Sequence, residues 1–175
     1  MIPVRLARDS IYESEWVNLY ADRVRFEDGT VLDRHYVLHF DYESVGVVIQ
    51  NEAGEILLIR SNRYITQRLE WEIPAGRIES GESVMEAAKR ETQEETGCEI
   101  ADIKLLGKYN PDNGISDMSF NICSARAFRQ GTGFDHNEVA QTQWVPVDRV
   151  KQMIRDNDIH CGLSITGLLW HMLDM

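Results

Sequence analysis

The sequence predicts an α/β fold in which a mixed β-sheet lies between helices, with an antiparallel sheet ahead of it. Three observations lead to this class. Segments with alternating or continuous apolar residues recur along the chain, which is typical of strands. One amphipathic helical segment interrupts them in the middle, and two more follow at the end. Strand pairs interrupted by a helix and followed by helices favour a sheet covered on both faces.

Size and composition indicate one globular domain. The chain has 175 residues, of which 43% are hydrophobic and 27% are charged. A chain of this length buries a core of its own without needing disulfides or metals to hold it together. This composition is not that of a disordered protein, whose low hydrophobicity prevents a core from forming.

The charge balance and the cysteines limit the partners and the compartment. A net charge of −11 argues against nucleic acid and anionic membranes as partners, because both bind basic surfaces. We expect no signal peptide, and no apolar run approaches a membrane span. Cys98, Cys123 and Cys161 lack metal-binding spacing and are too few for a disulfide framework. They indicate a reducing compartment, and we predict the cytoplasm.

The first half of the chain carries two predicted hairpins. Residues 15–40 alternate apolar and polar side chains on either side of Asp28-Gly29, a pair that favours a type I′ turn. Residues 45–64 form a second hairpin that turns at residues 51–54. Its strands are almost continuously apolar, so we expect them to be buried.

A loop and a capped helix follow. Residues 69–82 contain a proline and two glycines and are predicted to be a loop. Ser83 and Glu86 form a capping box, and Gly97 stands where a glycine ends a helix. Later apolar segments predict three strands and two helices, at residues 102–109, 118–128 and 141–146 and at about 147–156 and 163–174.

The helix concentrates negative charge on one face. Glu91, Glu94 and Glu95 share that face at positions i, i+3 and i+4, so their mutual repulsion costs stability unless something neutralises it. Arg90 offsets part of the charge. The cluster is either a solvated acidic face or a binding site for a hard cation such as Mg²⁺ or Mn²⁺, which carboxylates and carbonyls bind. Spacing alone leaves both interpretations open.

A longer pattern favours the cation site. The spacing of charged residues and glycines resembles the Nudix box, the signature of the Nudix hydrolase family, at Gly76, Glu82, Arg90, Glu91, Glu94, Glu95 and Gly97. The chain departs from that pattern at Thr92 and Cys98, where the family usually has bulky aliphatic residues. The resemblance implies a Nudix-type α/β/α sandwich and metal-dependent hydrolysis of a diphosphate linked to another group.

The resemblance also implies roles for single residues in the box. Glu91 and Glu95 match the main ligands of Mg²⁺ or Mn²⁺, helped by Glu94 and the backbone carbonyl of Ala75. Arg90 matches a residue that orients a glutamate. Gly76 lets its loop approach the metals, and Glu82 ties that loop to the helix.

Segments outside the box resemble the ADP-ribose pyrophosphatase branch of the family. The segment WEIPAGRIESGES at 71–83 resembles the run that leads into the box in this branch, and YNPDNGISD at 109–117 resembles its proline-bearing loop. The segment from Glu15 to Val37 resembles its leading sheet. This implies one domain over 1–175, with a β extension at 1–44 that forms a homodimer and a catalytic core at 45–175.

Four residues outside the box are candidates for substrate binding. The resemblance implies that Arg63 contacts a phosphate or ribose and that Trp16 stacks on adenine. Glu72 and Pro111 belong to the branch's two characteristic segments. Without the resemblance, Arg63 is an exposed residue after a strand, and Trp16 packs on an amphipathic strand.

The segment after residue 130 supplies a candidate base. Glu138 matches a glutamate that acts as general base or as an additional metal ligand, and Asp135 is the alternative. Gly131 and Gly133 in the same segment are expected to allow it to close over substrate.

The implied reaction is hydrolysis of ADP-ribose or a similar nucleoside diphosphate sugar to AMP and ribose 5-phosphate. One alternative is another nucleotide sugar such as GDP-mannose, or a nucleoside triphosphate. A second alternative is a non-catalytic Nudix domain that senses a nucleotide. Such domains typically lose carboxylates of the box, and this chain has all of them.

Overall fold

A computed structural model describes residues 2–130, 133 and 137–174 of the chain. Contacts divide it into two compact units. The first comprises Met1–Glu43 with Asn110–Ser119, and the second comprises Ser44–Tyr109 with Phe120–Met175. The predicted division into an extension at 1–44 and a core at 45–175 stays a prediction.

The first unit is a three-stranded antiparallel sheet in the order β1-β2-β3, formed by Val4–Tyr12, Asn18–Arg25 and Val31–His39. Arg8 and Asp22 join β1 to β2 through two side-chain hydrogen bonds of 2.7 Å. The segment Asn110–Ser119 belongs to this unit, because Leu38 of β3 pairs with Ser116. The sequence analysis did not predict β1.

The predicted hairpin at 15–40 is confirmed, but its predicted type I′ turn is wrong. The amide of Phe26 donates to the carbonyl of Thr30, and Gly29 donates to Phe26, which leaves three residues in the loop. Within this loop only Gly29 has a positive φ, of 86°. A type I′ turn needs positive φ at both central residues, whereas a three-residue loop needs it at one position, which the glycine occupies.

The second unit contains a seven-stranded mixed sheet. Its main path has the order β10-β5-β4-β9-β8, in which β4 and β9 are parallel. Strand β6 pairs with β5, and β7 pairs with β4. The strands are β4 Ser44–Gln50, β5 Glu55–Arg63, β6 Arg68–Glu72, β7 Ala75–Arg77, β8 Cys98–Tyr109, β9 Phe120–Gln130 and β10 Val139–Pro146.

Helices cover both faces of this sheet. They are α1 Val84–Thr96, α2 Val147–Arg155 and α3 Gly162–Leu173. Alternate residues of a strand point to opposite faces. Accordingly, Val47 packs in a core cluster with Ala88 of α1, whereas Val48 packs in another with Leu168 of α3. The predicted α/β/α arrangement is confirmed.

Residues 69–82 are only partly the loop that the sequence analysis predicted. Strand β6 and the short β7 lie within this region. Strand β6 pairs with the preceding strand β5, where Glu70 lies opposite Ser61, and β7 pairs with the more distant β4, where Gly76 lies opposite Val45. Pro74 lies between the two strands, and its carbonyl accepts the amide hydrogen of Val47. The prediction was wrong because proline and glycine dominate the local pattern, whereas β6 forms a hairpin with β5 and β7 depends on long-range pairing with β4.

Both predicted ends of α1 are confirmed. The Ser83 hydroxyl accepts the amide hydrogen of Glu86, and the Glu86 carboxylate accepts that of Ser83. Gly97 ends the helix with a φ of 69°, and its amide donates to the carbonyl of Gln93. Among the described residues, no helix combines the length and apolar character needed to cross a membrane.

We predict that Ser83→Ala lowers the free energy of unfolding by about 1 kcal/mol, because the amide of Glu86 loses its capping acceptor. Urea unfolding followed by circular dichroism measures this change. The control is Ser80→Ala, which removes an exposed hydroxyl from the preceding turn and is expected to change stability by less than ~0.5 kcal/mol. Equal effects of the two substitutions would contradict the capping role.

Candidate active site

Helix α1 presents its acidic face to a strand edge and buries its opposite side. Ala87, Ala88 and Thr92 are fully buried, and Cys98 is almost so. The two departures from the box, Thr92 and Cys98, are therefore core residues. They change the packing of the helix and leave the charged positions in place.

Arg90 organises the polar side of the helix. Its guanidinium donates to both carboxylate oxygens of Glu82, at 3.0 and 2.9 Å, and to the carbonyl of Arg77 at 2.8 Å. One Nη also donates to Glu91 at 2.7 Å and to Glu94 at 3.2 Å. These contacts are those expected of an arginine that orients a glutamate, and of a Glu82 that ties the preceding loop to the helix.

Gly76 allows the closest approach in the site. A Cβ atom at this position would lie 2.1–2.2 Å from the carboxylate atoms of Glu91. The carboxylate therefore occupies the space that any other residue at 76 would fill. The neighbouring amide of Ala75 donates to Oε2 of Glu95 at 2.9 Å. Strand β7 thus positions two carboxylates of the helix. Gly76 leaves space for that of Glu91, and the amide of Ala75 binds that of Glu95.

The site holds an excess of negative charge. Burial raises the pKa of Glu95 to about 8, with further contributions from Glu91 and Glu138, while the hydrogen bond from Ala75 opposes the shift. Burial also raises the pKa of Glu91, and Glu94 and Glu138 add to this, against the lowering effect of Arg90. Buried carboxylates that repel one another are stabilised by a cation.

The residues present fit a divalent cation by their chemistry. Clustered carboxylate oxygens beside a backbone without a side chain are donors for a hard cation. Within residues 2–130, 133 and 137–174, no three Asp, Glu, His or Cys side chains already surround one point as a metal site. Glu91, one of these carboxylates, accepts a hydrogen bond from Arg90.

A cavity of about 720 Å³ adjoins the acidic face. Its walls include four of the predicted residues, Arg63, Glu72, Glu95 and Glu138. Glu138 reaches the cavity because β10 pairs with β5, and its carbonyl accepts the amide hydrogen of Asn62 at 3.1 Å. The volume is in the range of sites for ligands of drug-like size.

Two predicted substrate-binding residues bind each other. Nε of Arg63 donates to Oε1 of Glu72 at 2.7 Å, and an Nη of Arg63 contacts the other carboxylate oxygen. The side chain of Glu72 is 3% exposed, whereas that of Arg63 is 48% exposed. The pair raises the pKa of Arg63, which keeps its positive charge in the cavity. Glu72 therefore holds the arginine at the wall of the cavity.

Several predicted residues stay predictions. Trp16 and Pro111 belong to the first compact unit, where both are exposed. The alternative base, Asp135, and the predicted hinge residue Gly131 lie outside the described residues. Gly133 is described and is exposed.

The sequence analysis missed other polar residues of the cavity. Ser61 on β5 and Glu70 on β6 line it, as do Thr66, His160 and Cys161. Ser61 and Glu70 each lie two residues from a predicted site residue, Arg63 and Glu72, and so face the same side of the ladder. A prediction of β6 as a strand would have found both.

Comparison with known proteins identifies the family. A family model described as the NUDIX domain matches residues 42–161. This chain belongs to the Nudix family. The match spans strands β4 to β10, helices α1 and α2 and the box, and the chain is a Nudix hydrolase, as the sequence analysis predicted.

Individual relatives agree with this assignment. The chain is 26% identical to the CMP-5'-(N-acetyl-N-hydroxy-3-aminopropyl)phosphonate hydrolase of Streptomyces rubellomurinus, over 91% of this chain and 77% of the relative. It is 27% identical to the ADP-ribose pyrophosphatase of Mycobacterium tuberculosis, over 94% of this chain and 80% of the relative. The latter similarity confirms the predicted resemblance to that branch.

A solved structure confirms the fold. The crystal structure of an ADP compounds hydrolase superposes with a TM-score of 0.87 at 22% identity, covering 99% of this chain and 94% of the other.

We predict that Gly76→Ala abolishes most activity of this Nudix hydrolase while the chain still folds. The added methyl group would displace the carboxylate of Glu91, which is the flexible end of a side chain, so the core stays intact. We expect turnover of the best substrate to fall about 100-fold, because a small displacement of a catalytic group lowers the rate by about that factor. Steady-state kinetics and a thermal melt measure the two effects.

The control is Gly162→Ala, where a Cβ atom meets nothing within 4 Å. This variant is expected to keep wild-type turnover. Normal turnover by Gly76→Ala would show that the position of the Glu91 carboxylate does not matter.

Proposed function

We propose that this chain hydrolyses the diphosphate bond of ADP-ribose or a similar nucleoside diphosphate sugar, giving AMP and ribose 5-phosphate. The observation that carries the proposal is that Glu95, Glu138 and the Arg63–Glu72 pair line one cavity beside the acidic face of α1. Carboxylates for a cation and an arginine for phosphate are the groups that diphosphate hydrolysis requires.

A divalent cation, Mg²⁺ or Mn²⁺, would be held by Glu91 and Glu95, with Glu94 and the carbonyl of Ala75 as further donors. When bound, it supplies positive charge that neutralises the diphosphate. Gly76 keeps the loop close to these carboxylates, and Arg90 holds Glu91 and Glu94 in position until then.

The protein's own residues carry the remaining work. Arg63, fixed by Glu72, binds a phosphate oxygen through its exposed guanidinium. A carboxylate oxygen of Glu138 accepts a proton from the attacking water. The water oxygen forms a bond to one phosphorus as the bridging P–O bond breaks, and the bridging oxygen leaves with the other phosphate.

The relatives support two substrate classes. The Mycobacterium tuberculosis relative is an ADP-ribose pyrophosphatase by name, which supports the first choice. The Streptomyces relative is named for a CMP-linked phosphonate, which favours another nucleotide ester as the second candidate. In both classes a nucleoside monophosphate is joined to a second phosphorus-containing group. The classes differ in the base of the nucleotide and in that second group.

We also propose a homodimer in the cytoplasm. Exposed apolar side chains on the three-stranded sheet, among them Val4, Leu6 and Tyr36, support an interface there. The cysteines are all free, and burial raises the pKa of Cys98 and Cys123. Protonated, buried thiols are compatible with a reducing compartment.

We predict that the protein with Mg²⁺ converts ADP-ribose to AMP and ribose 5-phosphate faster than it hydrolyses GDP-mannose, NADH or a nucleoside triphosphate. Chromatography of the products on this panel, with kcat/KM for each substrate, measures the preference. Faster hydrolysis of another compound on the panel would agree with the proposed reaction but contradict the proposed substrate. Nucleotide binding without any hydrolysis would overturn both.

We predict that Glu95→Gln folds normally and loses about 100- to 1000-fold in kcat, the usual cost of removing an electrostatic group from an active site. Glutamine has nearly the same shape and its amide oxygen still accepts from Ala75, so the melting temperature is expected to stay within a few degrees. Metal titration followed by calorimetry is expected to show weakened Mn²⁺ binding.

The control for this variant is Glu52→Gln, the same chemical change at an exposed turn between β4 and β5. It is expected to keep wild-type kcat and Mn²⁺ affinity. Near-wild-type kcat in Glu95→Gln would contradict the assignment of Glu95 as a ligand.

A further inference from the structure

A pair of buried polar side chains lines the cavity and has no part in the mechanism above. Glu70 on β6 is 6% exposed and Ser61 on β5 is 4% exposed. They pair directly across the β5–β6 ladder. Cross-strand partners have Cβ atoms roughly 5 Å apart, so one small group can contact both.

Both side chains have unused hydrogen-bonding capacity. Within the described part of the chain, Oε2 of Glu70 and the hydroxyl of Ser61 make no hydrogen bond, and neither atom is in contact with solvent. Thr66 donates to the other oxygen of Glu70 at 3.3 Å. Nδ1 of His160 lies 3.4 Å from Oε2 without hydrogen-bond geometry.

This arrangement costs stability unless a ligand completes it. A buried acceptor without a hydrogen-bond donor loses its hydration, and the His160 imidazole at 3.4 Å does not replace that hydrogen bond. Arg63 does not relieve Glu70, because its guanidinium pairs with Glu72 instead. The side chain of His160 is 40% exposed and lines the same cavity.

The chemistry of the pair selects the ligand. An ionised carboxylate only accepts hydrogen bonds, whereas a serine hydroxyl both donates and accepts. A ligand hydroxyl can donate to Glu70 and accept from Ser61 at the same time. A phosphate oxygen cannot serve, because it brings a second negative charge to Glu70 and has no hydrogen to donate.

The spacing of the strand selects the part of the substrate. Glu70 and Glu72 are two residues apart on β6, roughly 6.6 Å along the strand. Because Glu72 holds Arg63 at the phosphate, a group at Glu70 is about one sugar away from that phosphate. The group is therefore a sugar bonded directly to the diphosphate.

We propose that Glu70, with Ser61, binds the hydroxyl groups of the sugar on the phosphate held by Arg63, and so sets the preference for sugar-bearing diphosphates. This proposal rests on the proposed function. It makes Glu70 a specificity-determining residue that the Nudix box does not contain.

The test compares two substrates that differ only beyond the diphosphate: ADP-ribose and the ethyl ester of ADP, which lacks the second sugar. Wild-type protein is expected to prefer ADP-ribose. Glu70→Gln is expected to lower kcat/KM for ADP-ribose about 10- to 100-fold, mainly through KM, because a hydrogen bond to a charged group is lost. For the ethyl ester, the change is expected to stay within about twofold.

Two further variants keep the test informative. Ser61→Ala removes a hydroxyl that makes no hydrogen bond in the described structure, so it is expected to fold normally and to lose a few-fold in kcat/KM for ADP-ribose alone. Glu52→Gln, at an exposed turn outside the cavity, is the matched charge control and is expected to behave as wild type on both substrates.

The outcomes separate this proposal from the proposed function. Equal losses on the two substrates would make Glu70 a structural or adenosine-binding residue, and no loss on either would leave it without a role; both results overturn the sugar assignment alone. A wild-type protein that hydrolyses no sugar nucleotide would overturn the proposed function together with this inference.

Discussion

The site depends on the close approach of strand β7 to the acidic face of α1. Carboxylates that share a helix face repel one another, and burial raises that cost for Glu91 and Glu95. The protein tolerates this because Arg90 binds Glu91, the Ala75 amide binds Glu95, and Gly76 leaves the space that the Glu91 carboxylate fills. The repulsion lowers local stability, and in return negative charge stays concentrated on this face of α1.

The β5–β6 ladder organises the other side of the cavity. Its two-residue repeat places Arg63, Glu72, Ser61 and Glu70 on the wall of the cavity. One acidic residue of β6 is committed to the arginine, whereas the other keeps an oxygen free of hydrogen bonds. The carboxylate that holds the arginine and the carboxylate with a free oxygen thus lie two residues apart on β6. The core clusters on the two faces of the sheet keep this spacing rigid.

Much of the fold follows from local patterns. The second hairpin, the capped helix and the two closing helices are where the sequence predicts them, because apolar periodicity and caps act within a few residues. Strands β1, β6 and β7 were missed. Strand β1 is exposed along its length, so it lacks the alternation that marks a half-buried strand. The other two lie on either side of Pro74, in a segment whose proline and glycines indicate a loop, and they pair with β5 and β4.

By itself, the sequence determined the charged face of α1, its two ends and the membership of the Nudix family, since all of these rest on residues close together in the chain. Only the tertiary structure decided that Glu72 binds Arg63, that the Glu91 carboxylate replaces a side chain at Gly76, and that Glu70 faces Ser61. Each of these contacts joins residues on different strands, or a strand and a helix. Strand register and helix docking set such distances, and no local pattern encodes them.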